Sequence, residues 1–87
     1  MNFVQKMMMN DSKWIKTEQM LENLKNDADN EQQYAHWLGG ILCTTHWLEY
    51  DSKKDRYGDS MDWREYDWYT EAEILDRYAG HWWKREH

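Results

Sequence analysis

The sequence holds a single cysteine, Cys43, in 87 residues. One thiol excludes an internal disulfide framework and a four-cysteine zinc site. No apolar run approaches the ~20 residues of a membrane-spanning helix. No basic segment leads into an apolar one near Met1, so no secretory signal is expected and the reading is a cytoplasmic protein. No glycine-rich nucleotide fingerprint or phosphate loop occurs. Asp51, Asp55 and Asp59 have the look of a calcium loop, but Lys53 and Arg56 stand at its third and sixth positions.

Aliphatic side chains are also scarce: six Leu, three Ile and one Val. Aromatic residues replace them, with seven Trp, six Tyr and one Phe. The mean hydropathy of −1.21 is that of a disordered chain, but disordered chains are poor in aromatics. The chain is therefore expected to fold as one small domain around an aromatic-rich core. Seven Trp exceed what such a core needs, so some are expected at the surface as interface anchors.

Along the chain, residues 1–11 carry no period and read as a flexible leader, Met7-Met8-Met9 included. Residues 12–28 read as a helix with Ser12 as N-cap and Trp14, Thr17, Leu21, Leu24 and Ala28 on one stripe. Residues 30–50 read as a second helix, because Tyr34, Trp37, Leu38, Ile41, Leu42, Thr45 and Leu48 keep helical phase across Gly39-Gly40. Each glycine costs that helix ~1 kcal/mol. The alternative is a strand over 41–48, where Ile, Thr and Trp favour extended backbone. Residues 51–69 fit neither period and read as a short helix or packed loop. Residues 70–83 read as the last helix, opened by a Thr70–Glu73 capping box. The expected fold is all-α: three to four helices over 12–87, with α+β as the alternative.

Charge is uneven. Ten acids face four bases between Glu49 and Asp76, and that stretch carries the whole net charge of −6. The same stretch interleaves Trp and Tyr with the acids. Carboxylates steer a basic partner while rings supply desolvated anchors. Asp59, Asp62, Trp63, Glu65, Asp67, Trp68 and Tyr69 are the candidate partner-binding residues. The plain alternative is a solvated acidic face that keeps the domain soluble. Direct nucleic-acid binding is disfavoured by the acidic balance, with only Trp82-Trp83-Lys84-Arg85 suited to stacking and phosphate contact.

Catalytic signatures are missing. Cys43 and His46 are three apart, but nothing nearby suggests an oxyanion hole, and the paired spacing of a zinc module is absent. No cofactor is expected. The expected function is non-enzymatic: a protein-binding inhibitor of the kind phages and mobile elements carry. Its target would be a nucleic-acid-handling protein such as a CRISPR effector, a restriction enzyme or RNA polymerase, blocked at its basic groove. A self-associating assembly module is the first alternative. A small metal-binding regulator using Cys43, His46 and another histidine is the second.

Overall fold

A computed structural model describes residues 14–38, 41–62 and 64–86, without the side chains of Leu42 and Cys43. It overturns the all-α expectation. The chain runs β1 (Trp14–Lys16), α1 (Thr17–Asn26), β2 (Gln32–Leu38), β3 (Ile41–Asp51), β4 (Arg56–Asp62), β5 (Glu65–Tyr69), α2 (Glu71–Arg77) and β6 (Trp82–Arg85). The strands form one sheet in the order β1-β6-β2-β3-β4-β5, with every neighbour antiparallel. Strands β2 to β5 follow one another as hairpins. After α2 the chain returns, and β6 inserts between β1 and β2.

The expected helix over 30–50 is a hairpin. Leu38 and Ile41 are cross-strand partners, and Gly39-Gly40 stands between them in the sequence, a strong hairpin signal. The strand alternative for 41–48 is the correct one there. Residues 51–69 are the end of β3, the turn before β4 and the whole β4–β5 hairpin. Their mixed period has a cause: the register shifts between Asp59 and Asp62, and a bulge breaks strict alternation.

The two helices are shorter than expected. Trp14 belongs to β1, and α1 starts at Thr17. Lys16 occupies its N-cap without a side-chain bond; Ser12, like the leader 1–11, lies outside the described residues. The Thr70–Glu73 capping box is formed, with Glu73 N–H donating to Thr70 Oγ1 at 3.2 Å and Thr70 N–H to Glu73 Oε1 at 2.8 Å. The chain leaves α2 at Tyr78 and turns at Gly80, where φ is +78°. Trp82 and Trp83 are thus strand residues.

Both helices lie on one face of the sheet. Met20, Leu21 and Leu24 of α1 and Ile74 of α2 pack with Tyr34, Leu48, Tyr50, Tyr57, Tyr78 and Trp83. Burial of a ring such as Trp83 removes ~150–250 Å² from water, so this small cluster dominates the stability. No helix is long and apolar enough to cross a membrane among the described residues.

Candidate functional site

Strand register sorts the side chains by face, because cross-strand partners share a face and neighbours alternate. On β2, Gln32, Tyr34 and His36 turn under the helices and are buried. Gln33, Ala35 and Trp37 turn to the opposite face. The pairs Trp37↔Trp82 and Ala35↔Lys84 place Trp82 and Lys84 with them. Trp14↔Lys84 and Lys16↔Trp82 extend the same face to β1. Gln33↔Trp47 extends it to β3, Trp47↔Ser60 to β4 and Gly58↔Trp68 to β5.

Five of the seven tryptophans therefore stand on one face: Trp14, Trp37, Trp47, Trp68 and Trp82. Among the described residues no element covers it. All five are partly or well exposed, Trp68 most clearly at 38%. Lysines lie over several rings: Lys16 Nζ is 5.5 Å from the Trp82 ring centre, Lys84 Nζ 6.0 Å from Trp14, and Lys54 Nζ 4.9 Å from Trp68. Such contacts contribute ~0.5–1 kcal/mol each at exposed sites.

Around Trp68 and its Lys54 the face carries acids as well. Tyr66 and Trp68 lie 5.6 Å apart between ring centres and spread over Gly58. A Cβ there would come within 2.8 Å of Trp68 and 2.9 Å of Tyr66, so the glycine admits the rings. Tyr66 donates its hydroxyl to Glu31. Burial, then the neighbouring Asp51, Glu31 and Asp29, hold the Glu49 carboxyl above its usual range. Burial and the Glu31 bond push the Tyr66 hydroxyl up.

The helix-covered face holds a second cluster that sequence reasoning missed. His46 Nδ1 and Asp59 Oδ1 are 2.6 Å apart, and the Tyr78 hydroxyl donates to the other Asp59 oxygen. His36 Nε2 meets His81 Nδ1, and the His36 ring stacks on Trp83 with centres 4.3 Å apart. His46 stands edge-on to His36, Tyr78 and Trp83. Its Nε2 is buried without a hydrogen-bond partner. Thr17 Oγ1 donates to the Tyr78 carbonyl at 2.7 Å and accepts from Trp83 Nε1 at 2.9 Å. A register shift between Ala35 and Trp37 falls at His36; such bulges re-aim side chains.

Burial and the nearby His46 and His81 lower the His36 pKa to about 4. Burial, then His46, lowers His81. Burial and the Asp59 bond raise the Tyr78 hydroxyl. The His46–Asp59–Tyr78 chain has the parts of an acid–base relay, but His46 is 2% and Asp59 6% exposed. The 310 Å³ cavity between the helices is lined by Glu18, Leu21, Glu22, Lys25, Tyr57, Glu71 and Leu75, none of them from this cluster. Among the described residues no group of three or more His, Cys, Asp or Glu is arranged to hold a metal ion. The Cys43 thiol invoked for such a site lies outside the described side chains. The cluster is a buried polar network.

The seven candidate partner-binding residues do not form one surface. Asp59 is inside the network and unavailable to a partner. Tyr69 pairs across from Tyr57 and packs on the core. Asp62, Glu65 and Asp67 are exposed on the β4–β5 hairpin, with Asp62 paired to Arg64 at 3.2 Å. Trp68 stands on the open face. Trp63 lies outside the described residues. Sequence reasoning missed Trp14, Trp37, Trp47 and Trp82 as a set. One signal was available: Tyr34-Ala35-His36-Trp37 echoes Tyr78-Ala79-Gly80-His81-Trp82. In the fold His36 meets His81 and Trp37 pairs with Trp82.

Comparison with family models, with curated proteins and with solved structures finds no match to this chain. Function is therefore read from the geometry of the chain itself.

Proposed function

We propose that this chain acts by binding another protein, without catalysis of its own, and that its working surface is the open face of the sheet. The observation that carries the reading is the gathering of five tryptophans on one face that no helix covers among the described residues. Folding alone gives no reason to assemble them there. Tryptophan is the residue most enriched at energetic centres of protein interfaces. A face of rings that carries both lysines and glutamates suits a partner of mixed charge better than a polyanion.

The exposed acids of the β4–β5 hairpin support a narrower form of the proposal. Asp62, Glu65 and Asp67 lie on the edge hairpin, turned by register to the face opposite Trp68, so they border the open face only at its rim. They suit a partner whose apolar patch is flanked by lysine or arginine, as in a nucleic-acid-handling protein whose basic groove is blocked. The chain would then be an inhibitor of the phage or mobile-element type.

Affinity capture from nuclease-treated bacterial lysate tests both forms. Wild type is compared with a Trp37→Ser, Trp47→Ser, Trp82→Ser variant and with an Asp62→Lys, Glu65→Lys, Asp67→Lys variant. Loss of a specific partner in the first supports the open face. Loss in the second as well supports the basic target. A partner retained undiminished by the folded tryptophan variant overturns the reading.

A further inference from the structure

We infer that the open face is regulated by acid: protonation of the buried His36–His81 contact frees the corner where the chain enters β6 and draws Trp82 away from Trp37 on the other side of the sheet. As a control of binding this rests on the reading of that face as a docking surface, whereas the opening itself belongs to the chain alone.

Two neighbouring pairs tie the covered network to the open face. His36 precedes Trp37 on β2, and His81 precedes Trp82 at the start of β6. Beneath the sheet His36 Nε2 meets His81 Nδ1. On the open side Trp37 is the cross-strand partner of Trp82, and Lys16 Nζ lies over the Trp82 ring. A contact between two imidazole nitrogens needs one N–H and one bare lone pair. It is lost when both nitrogens carry protons.

The surroundings give an added proton little support. His36 faces His46 from β3, Tyr78 from the end of α2, His81 from the turn and Trp83 from β6. From α1 comes Thr17, which does not titrate and is bonded to Tyr78 and Trp83. Asp59 of β4 is the carboxylate that acts on His36, and its two oxygens already hold His46 and the Tyr78 hydroxyl. Arg77 brings a further cation to that hydroxyl, at 3.3 Å. Burial and neighbouring cations both disfavour an imidazolium here, in keeping with the lowered values of His36 and His81. Three of the four histidines of the chain meet at this point, and histidine is the side chain that ordinarily titrates near neutrality.

The turn is built to yield first. His81 is half-buried, while His36 and His46 are buried. Gly80 stands at φ +78°, and a glycine changes backbone conformation at little steric cost. Trp83 is fully buried in the core, so the opening is confined to residues 79–82. With His36 at about 4 closed and 6.5 when freed, opening becomes at least about tenfold more favourable from pH 7 to pH 5. Chain corners lie at the low end of local stability, where a gain of about tenfold turns a minor open form into a populated one.

Hydrogen exchange read by NMR on the full chain tests this, with each rate corrected for its intrinsic pH dependence. From pH 7 to pH 5 the amides around Trp37 and Trp82 are expected to lose protection by at least about tenfold, while those of the β3–β4 pairing keep theirs. His36→Gln can still donate and accept but does not titrate, and is expected to abolish the change with an unaltered circular dichroism spectrum. His81→Gln, at the half-buried position, gives the same reading should the first variant not fold. A captured partner is expected to be released from wild type at pH 5 and kept by the glutamine variant.

Corner amides that stay protected at pH 5 overturn the inference. So does a loss shared equally by β3–β4, a loss that persists in both glutamine variants, or a partner held by wild type as tightly at pH 5 as at pH 7. The docking reading fails separately. Opening in acid with no partner lost through the tryptophan variant overturns that reading and leaves the opening. A partner lost through that variant, beside a corner that stays shut, does the reverse.

Discussion

The two faces of the sheet depart from the usual partition. The face under the helices buries Gln32, His36, His46 and Asp59. The uncovered face carries five tryptophans. A half-buried antiparallel sheet normally turns its apolar residues inward and its polar residues to water. Here large rings occupy both faces, and the polar residues inside are kept by their partners: His46 by Asp59, Asp59 by Tyr78, Gln32 by Tyr34. Unpaired buried polar groups cost ~1–3 kcal/mol each; His46 Nε2 apart, the connected network avoids that cost. The covered face is where stability resides. The open face is where a binding role is proposed.

That division makes predictions. Asp59→Ala leaves His46 and Tyr78 without their shared acceptor deep in the protein. Its expected cost is about 3–5 kcal/mol, read as a fall in the urea midpoint, with open-face binding lost only through unfolding. Trp83→Ala is expected to cost about as much, by cavity formation and by removing one of the two hydrogen bonds of Thr17 Oγ1. Were either change nearly neutral, the covered face would not be the stabilising one.

Acidification acts on the same face. His36 is neutral when folded, with a pKa of about 4 against an ordinary value of 6.5. Between those values the unfolded chain binds the proton and the folded chain does not. Stability therefore falls as pH drops through that window and stops falling on this account below about 4. Each tenfold change in proton affinity is worth about 1.4 kcal/mol. With solvent screening allowed for, the loss is on the order of 2 kcal/mol. His81, also lowered, adds to it with the same sign. Chemical denaturation at a series of pH values checks this, and His36→Gln is expected to flatten the profile. An unchanged slope in that variant would place the proton uptake elsewhere.

Trp37→Ser on the open face is expected to behave oppositely. Its stability cost should stay near ~1 kcal/mol, within the range of a partly exposed side chain, while partner binding through that face falls by about tenfold or more. The sharpest contrast is thus the ratio of binding loss to stability loss, high for Trp37 and low for Trp83. Smallest of all, Thr70→Ala removes the α2 cap far from the open face. It should cost ~1 kcal/mol and leave open-face binding unchanged, which a thermal melt and partner capture together would show.

Much of the helical content was legible. Thr70 and Glu73 form the capping box their spacing announces, since a cap is a contact across three residues and needs no tertiary partner. Thr17, Met20, Leu21 and Leu24 bury one side of α1, as their spacing implies. The sheet was not legible in the same way. Tyr34, Trp37, Leu38, Ile41, Leu42, Thr45 and Leu48 satisfy a helical stripe, and they also satisfy two strands if His36 and His46 are allowed inside. Period-two alternation is read by asking which residues avoid water. That question fails when histidine, aspartate and glutamine are buried and five tryptophans are not. Gly39-Gly40 was the deciding local clue, because two adjacent glycines weaken a helix and favour a hairpin.

The candidate site divides along the same line. Trp68 was singled out and does stand on the open face, while Asp59, chosen beside it, is the acceptor at the centre of the buried network. One strand position separates a residue that meets solvent from one that meets the core, and register alone sets that position. On their own the residues determined the aromatic character of the core, the acidic middle segment, the α2 cap and the absence of a long apolar helix. All of these are properties of composition or of contacts within a few residues. Only the tertiary structure decided that Trp14, Trp37, Trp47, Trp68 and Trp82 share a face and that three histidines meet beneath the helices. Strand order and register join residues up to 70 positions apart, as in Trp14↔Lys84. No local preference specifies a pairing at that distance.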